Sequence, residues 1–483
     1  MRQSPCVTLA KPGCGGTEVP RRLNMRRSCS LRLATPARAD SLRLSAAIAA
    51  TALAGSAPAV DATGADLHRV HAEIDLLRAE IAEYRRLVEA PGAELLDAAR
   101  AAAIRHLADE ALADAGGRAS LQGSGLTAGW NRGFFLASAD GNFSLKLRGY
   151  TQIRWVLNHR SDPPRGQDGT QSGFEIRRSY IQLDGHVVDP SWVYRVQANV
   201  LRDTGVLTLR DAYIRKTFDG GFFVQAGQAK APFMCETLAS GSGLLLVDRS
   251  LIDATFGIGR SQGVFVGWSN DRFRLTGLAC DGSERAGGVN VPWNETRTEY
   301  AFAGRAEVKF GAGDWSQFND MTSRPDEAPA SLIGAAVFWQ RTASGPAAAG
   351  VETLSWTVDG EVGLGGAVLF AAVVGRHLDE PGASRDQIGA YGQVGWYLLP
   401  TLEAFARYEW ADGDTGADDL SIATLGATWY IAPRALKLSA DVGYGLNAVA
   451  PLFGSAGGGA GWRTDALGDD GQIVVRVQMQ FAY

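Results

Sequence analysis

The last eleven residues, Ile473-Val-Val-Arg-Val-Gln-Met-Gln-Phe-Ala-Tyr483, decide the fold class. In an extended strand Ile473, Val475, Val477, Met479, Phe481 and Tyr483 share one face. Gln472, Val474, Arg476, Gln478, Gln480 and Ala482 share the other. Side chains alternate across a strand, so the segment has one apolar face and one largely hydrated face. A soluble sandwich accepts such a strand. A chain ending on an aromatic suits a membrane interface better, because membrane barrels turn apolar residues to lipid, polar residues to the lumen and aromatics to the girdles. Repetition of the pattern elsewhere settles the choice.

From Phe143 onward the period is two throughout. Strands are expected at 143–157, 174–187, 191–203, 206–218, 221–230, 260–269, 272–280, 300–311, 332–341, 353–364, 366–377, 387–398, 401–410, 420–431, 434–446 and 472–483. At about 9–15 residues they suit a tilted bilayer crossing better than a soluble sheet. Tight connections (Asp189-Pro190, Asp219-Gly220-Gly221, Asn270-Asp271, Gly365, Leu399-Pro400) contrast with long polar ones at 158–173, 281–299, 312–331, 378–386, 411–419 and 447–471. Short turns at one end and long loops at the other are the habit of a membrane barrel. A β-propeller would need a blade-scale repeat of about 40–50 residues, and none is visible. The expected fold is therefore all-β: an antiparallel transmembrane β-barrel of about sixteen strands over 143–483. Pro232 to Gly259 stands out, being long yet partly apolar, with Leu244-Leu-Leu-Val247 at its centre.

The residues before the barrel divide into three. Arg26, Arg27, Arg32, Arg38 and Arg43 precede a short apolar run, Leu44 to Leu53, which ends in Ala57-Pro-Ala59. That is the layout of an export signal, so 1–59 is expected to be a signal peptide with a basic extension, starting at Met1 or Met25. Residues 60–115 form an expected periplasmic helical segment. Within it Leu67, Val70, Ile74, Leu77, Ile81, Tyr84 and Val88 keep the 3-4 spacing of a short coiled coil, stopped by Pro91-Gly92. Residues 116–142 read as a linker.

Beyond residue 59 the chain holds 38 Lys/Arg against 50 Asp/Glu, a net charge of -12, which argues against a nucleic-acid partner. Cys235 and Cys280 are the only cysteines there, either paired or as two lone thiols. Their spacing matches no metal site, and no cofactor is implied.

Parity places the chemistry. In the first strand Lys146, Arg148, Tyr150, Gln152 and Arg154 share the polar face. In the second Arg178, Tyr180, Gln182 and Asp184 face in, and in the third Arg195, Gln197 and Asn199 do. Arg or Lys at the lipid-facing midplane costs about 2–4 kcal/mol, so these cations belong in the lumen. The fourth strand allows either Arg210 or Asp211 with Tyr213 inside; the second choice gives Ala212 and Ile214 to lipid. Residues 143–230 carry 13 Lys/Arg against 8 Asp/Glu, whereas 231–483 carry 17 against 29. One basic wall in an otherwise acidic chain lowers the barrier for anions; cross-strand ion pairs would use the same residues.

Arg177-Arg-Ser-Tyr-Ile-Gln-Leu-Asp-Gly185, Trp192-x-Tyr194, Asp211-Ala-Tyr-Ile214, Gly227-Gln-Ala-Lys-Ala-Pro-Phe233, Glu236 and Asp248-Arg-Ser250 follow in order. Together they resemble the phosphate-selective porin O and P family of Gram-negative outer membranes, over roughly residues 140–483. The resemblance implies a sixteen-stranded trimeric porin whose long loop after the fifth strand folds into the barrel, with Leu244–Val247 packed on the inner wall. It makes Lys230 and Arg249, which flank the loop, candidates for the constriction. With Lys146, Arg148, Arg154, Arg178, Arg195 and Arg476 they form the expected pore-lining anion path. The implied partners are outer-membrane lipid, small hydrophilic anions, a homotrimer, and the barrel assembly machinery through the C-terminal strand. One departure stands out. Within 231–256 Arg249 is the sole cation, beside Glu236, Asp248 and Asp253, so the dense basic cluster suited to strict phosphate selectivity is missing.

An outer-membrane hydrolase is the rival among enzymes. His159, His186 and His377 have no accompanying nucleophile motif such as GxSxG, so no enzymatic activity is expected. The alternative among channels is a general non-selective porin that also acts as a structural tether through its helical segment.

Overall fold

The computed structural model describes residues 125–483 apart from 162, 296, 343–349, 433–434 and 467. The expected signal peptide and the helical segment with its coiled coil lie outside the described residues. The first described elements are β1 (Leu126–Trp130) and β2 (Phe134–Ser138). They are followed by β3 (Ser144–His159), β4 (Thr170–His186), β5 (Trp192–Val200), β6 (Leu207–Thr217), β7 (Phe222–Lys230), β8 (Arg260–Ser269), β9 (Phe273–Cys280), β10 (Thr298–Gly311), β11 (Ala330–Thr342), β12 (Glu352–Gly363), β13 (Ala367–Glu380), β14 (Ala383–Leu399), β15 (Leu402–Asp412), β16 (Leu420–Ala432), β17 (Leu436–Gly445) and β18 (Ile473–Ala482).

Each strand from β3 to β18 pairs antiparallel with its neighbours in sequence. The ring closes where β18 meets β3, from Ile473 opposite His159 to Ala482 opposite Tyr150. Two backbone hydrogen bonds between Gly149 and Tyr483 extend that seam to the last residue. A Cβ on Gly149 would fall 2.6 Å from the Tyr483 ring, so the closing contact requires glycine. The result is a closed sixteen-stranded barrel, with every expected strand matched to within four residues at either end.

The alternation read from β18 holds around the ring. Along β12, Thr353, Ser355, Thr357, Asp359 and Glu361 are buried in the lumen, while Leu354, Trp356 and Val358 are exposed outside. Polar residues inside and apolar residues outside reverse the soluble pattern, as lipid demands. Exposed aromatics gather at both rims: Phe218, Phe222, Phe310, Trp396 and Trp429 at the turn end, Phe302, Trp339, Tyr408 and Tyr444 toward the loop end.

Two β-bulges break the parity that a single alternation would give. A register shift at Gln152/Ile153 leaves Arg177 unpaired in β4, and another at Gln197/Ala198 leaves Arg210 unpaired in β6. A bulge lets two consecutive side chains lean to one face. Arg177 and Arg178 therefore both point inward, and so do Arg210 and Asp211, where one parity had allowed only one of each pair.

Two further differences concern the connections. Residues 126–138, read as linker, form a β1–β2 hairpin, and β2 adds to β3 with Phe134 opposite Leu147 and Ala137 opposite Ser144. The long segment 312–329 leaves from the turn end, where the other connections are short, because β10 runs toward that end and β11 starts from it. It folds inward, burying Phe318, Met321, Thr322 and Ser323.

Candidate functional site: a partitioned lumen

The site is made by the connection from Ala231 to Gly259. It leaves β7, enters the barrel and carries two short helices, α1 (Cys235–Leu238) and α2 (Leu251–Phe256). Its apolar side chains, among them Phe233, Met234, Leu244, Leu245, Leu246, Leu251, Ile252 and Phe256, are buried against lumen-facing Phe338, Val368, Phe370, Val374, Tyr391 and Phe405. Wall and loop meet here through apolar side chains. On β14 a Cβ on Gly395 would come within 2.8 Å of Leu245, so glycine there lets the loop lie against the strand. Leu244–Val247 thus pack on the inner wall, as the family resemblance implied.

Polar groups fasten the loop to the barrel. Its backbone N–H groups donate to wall carboxylates: Cys235 to Asp359 at 3.2 Å, Val247 to Asp441 at 3.3 Å and Leu251 to Glu409 at 2.6 Å. Glu236 pairs with Arg407 at 2.8 Å, and Lys437 donates to the Leu244 carbonyl at 3.1 Å. Asp248 is the main anchor, accepting from Arg154 and Arg177 at 2.7 Å and from Arg178 at 2.6 Å. Burial alone would raise the Asp248 carboxyl; Arg177, Arg178 and Arg154 outweigh it and hold the group well below the usual carboxylate range. From the turn end, the 312–329 segment meets the loop's tip: Ser240 N donates to Asn319 O, and Met321 N to Gly243 O.

With one side of the lumen filled, open space is left along the other. A cavity of about 790 Å³ remains, lined by Arg132, Arg148, Arg195, Arg215, Lys230, Arg249, Arg260, Arg274 and Arg305, with Asp211, Glu307 and Asp320 as the acidic side chains. Arg148 and Arg195 share Asp184, the latter at 2.6 Å. Arg260 pairs with Asp211 at 2.6 Å, and Arg274 sits 3.4 Å from Glu307. Arg215 finds only a neutral acceptor, donating to Gln225 Oε1 at 2.7 and 2.9 Å while its guanidinium lies 4.2 Å from the centre of the Phe223 ring. Lys230 donates to the Leu238 and Ala239 carbonyls at 3.1 and 2.8 Å, and Arg249 to those of Glu236 and Ala239 at 3.1 and 3.0 Å. Carbonyl partners alone hold Lys230 at the loop edge, whereas Arg249 also lies 3.6 Å from the Asp253 carboxylate.

Of the eight residues expected on the anion path, Arg148, Arg195, Lys230 and Arg249 line this cavity, and Lys146 lies on the same strand face as Arg148. Arg154, Arg178 and Arg476 are placed differently. All three face inward but are at most 7% exposed and covered by folded-in chain. Arg154 bonds Glu175, Asp248 and the Gly459 carbonyl; Arg178 bonds Asp248 and Gln152. Arg476 pairs with Asp441 and reaches the Ala460 carbonyl in the last loop, where α3 (Pro451–Gly457) and Trp462 also fill the lumen. These three arginines fasten loops. Arg132, Arg215, Arg260, Arg274 and Arg305 escaped the sequence reading; inward parity on β6, β8, β9 and β10 would have found all but Arg132. Cys235 and Cys280 are free thiols, which settles the choice left open above.

Residues 150–327 match the family model phosphate-selective porin O and P, bearing out the resemblance carried by the ordered motifs. Among curated proteins none matches. In structure the chain is similar to an anion-selective porin from Comamonas acidovorans, at 12% identity and a TM-score of 0.48 over 71% of this chain and all of that one. It is also similar to Salmonella typhi OmpF in complex with daunomycin, at 12% identity and a TM-score of 0.48 over 74% of this chain and all of that one. A third is OmpT of Vibrio cholerae, at 14% identity and a TM-score of 0.46 over 71% and 98% of the two chains.

Proposed function

We propose that this barrel is an outer-membrane porin through which small hydrophilic anions, phosphate among them, diffuse passively along one cationic wall. The observation that carries the reading is the division of the lumen. The inward loop covers the apolar and acid-rich side and leaves open the side with nine Lys/Arg against three Asp/Glu. A row of fixed cations beside a water-filled path lowers the electrostatic barrier for anions and raises it for cations. Because Arg249 is the sole cation within 231–256, the loop adds little basic density of its own. Preference is therefore expected for anions as a class, with modest discrimination between phosphate, sulfate and chloride.

The turn end then faces the periplasm, where the helical segment would also lie, and the strand ending at Tyr483 is the segment met by the assembly machinery. A homotrimer is the expected assembly. Reversal potentials across planar bilayers in a salt gradient test the reading, with chloride, sulfate and phosphate as the anion. A potential on the anion side is expected, moving toward zero in Arg148→Glu. A cation-side potential for the unmodified protein would overturn it; a potential near zero would favour the general porin with a tethering segment.

A further inference from the structure

The β1–β2 hairpin precedes the segment that matches the family model, and it continues the barrel wall. Residues opposite one another in an antiparallel pair share a face. Phe134 opposite Leu147 and Leu136 opposite Leu145 therefore put the hairpin's exposed apolar residues in line with the outer face of β3. Trp130 joins them, its ring 4.7 Å from that of Phe134 and edge-on to it. The three-residue turn Asn131–Gly133 bends the other way. Gly133 has φ +139°, and a Cβ there would lie 2.5 Å from Arg148 Cγ and 2.8 Å from the Leu147 carbonyl oxygen. The turn is thus seated on the Arg148 side chain.

This seating places Arg132 in the lining of the channel beside Arg148. Its backbone is left-handed, with φ 49°, a conformation that non-glycine residues rarely adopt. Its side chain is exposed and forms no ion pair or hydrogen bond among the described residues. Nearby Arg148 and Arg195 already share the single carboxylate of Asp184. Another guanidinium brought to such a site gains no contact and adds like-charge repulsion, so folding does not account for it.

We infer that the hairpin is a pore element, and that Arg132 at its tip sets anion selectivity at the turn-end mouth. The inference rests on the anion-path reading and adds to it a residue outside the sixteen strands. The test compares reversal potentials of the full-length protein, Arg132→Gln, Arg132→Glu and Arg148→Glu in the same chloride gradient, with the dilute side at the turn end. A screened unit charge near the path shifts the local energies of an anion and of a cation by roughly a third of RT each, in opposite senses, so the anion-to-cation permeability ratio should fall about twofold in Arg132→Gln and about fourfold in Arg132→Glu. Conductance at high salt should stay unchanged, because the hairpin's pairing to β3 is untouched. If Arg148→Glu lowers the ratio while both Arg132 variants keep that of the unmodified protein, the hairpin inference is overturned and the anion path survives. If the unmodified protein shows no anion preference, the anion path itself is overturned.

Discussion

The wall from β4 to β10 and the wall from β11 to β17 obey the same alternation, yet their inward positions hold opposite chemistry. The first presents Arg195, Arg215, Arg260 and Arg274 to the channel, while Arg305, 4% exposed, ties Asp359 to the loop's Phe233 carbonyl. The second presents Phe338, Phe370, Tyr391 and Phe405, interspersed with Asp359, Glu409 and Asp441. The difference lies in what each wall faces. A loop folded into a barrel brings apolar side chains that need an apolar seat and N–H groups that need acceptors, since a buried unpaired donor costs about 1–3 kcal/mol. The carboxylates of the second wall meet the Cys235, Val247 and Leu251 amides. Much of the acidic excess of residues 231–483 is therefore consumed inside the protein and says little about which ions pass.

The largest effect should come from erasing the partition. Asp248→Asn leaves Arg154, Arg177 and Arg178 without their shared carboxylate, and breaking a buried ion pair costs about 3–5 kcal/mol. The loop should lose its seat, with single-channel conductance rising about twofold or more and open-channel noise increasing. Unaltered conductance would show that the apolar seat alone holds it.

The next prediction separates the walls by function. Arg148→Glu should lower the anion-to-cation permeability ratio severalfold while conductance stays within about a factor of two. Arg154→Glu removes a loop anchor, and its first effect should be on conductance and noise. Equal behaviour of the two variants would mean the walls are not distinct.

A smaller effect tests packing. Gly395→Ala pushes a methyl toward Leu245 and Glu403 Oε1, an overpacking worth about 1–3 kcal/mol. It should make brief loop excursions more frequent in current recordings and leave selectivity alone. The smallest readout is chemical. Cys235, on the loop, is buried against the wall and Cys280 is partly exposed, so a maleimide should reach Cys280 alone in the folded barrel. In Asp248→Asn it should reach both.

The strands were legible because lipid imposes a rule on every residue of every crossing, and β18 carries that rule plainly. The bulges in β4 and β6 were not, since Arg177-Arg178 and Arg210-Asp211 read as consecutive residues that must point apart. The fates of Arg154, Arg178 and Arg476 were hidden for another reason. Their partners Asp248 and Asp441 are 94, 70 and 35 positions away, and only the folded loops bring them together. The hairpin was missed because its two five-residue strands sit among Gly, Ser and Ala, where turn signals outweigh two short apolar runs.

The hairpin also bears on how the ring finds its closing alignment. Strand β18 lies along β3 from His159 to Tyr150, with Tyr483 bonded to Gly149, and β2 occupies the same edge from Leu147 to Ser144. The last strand therefore ends where the first element of the wall begins. Slipping β18 by two residues toward the turn end would drive Tyr483 into Phe134, and slipping it the other way would leave Gly149 unpaired. A chain segment made early thus serves as a doorstop for one made more than 300 residues later.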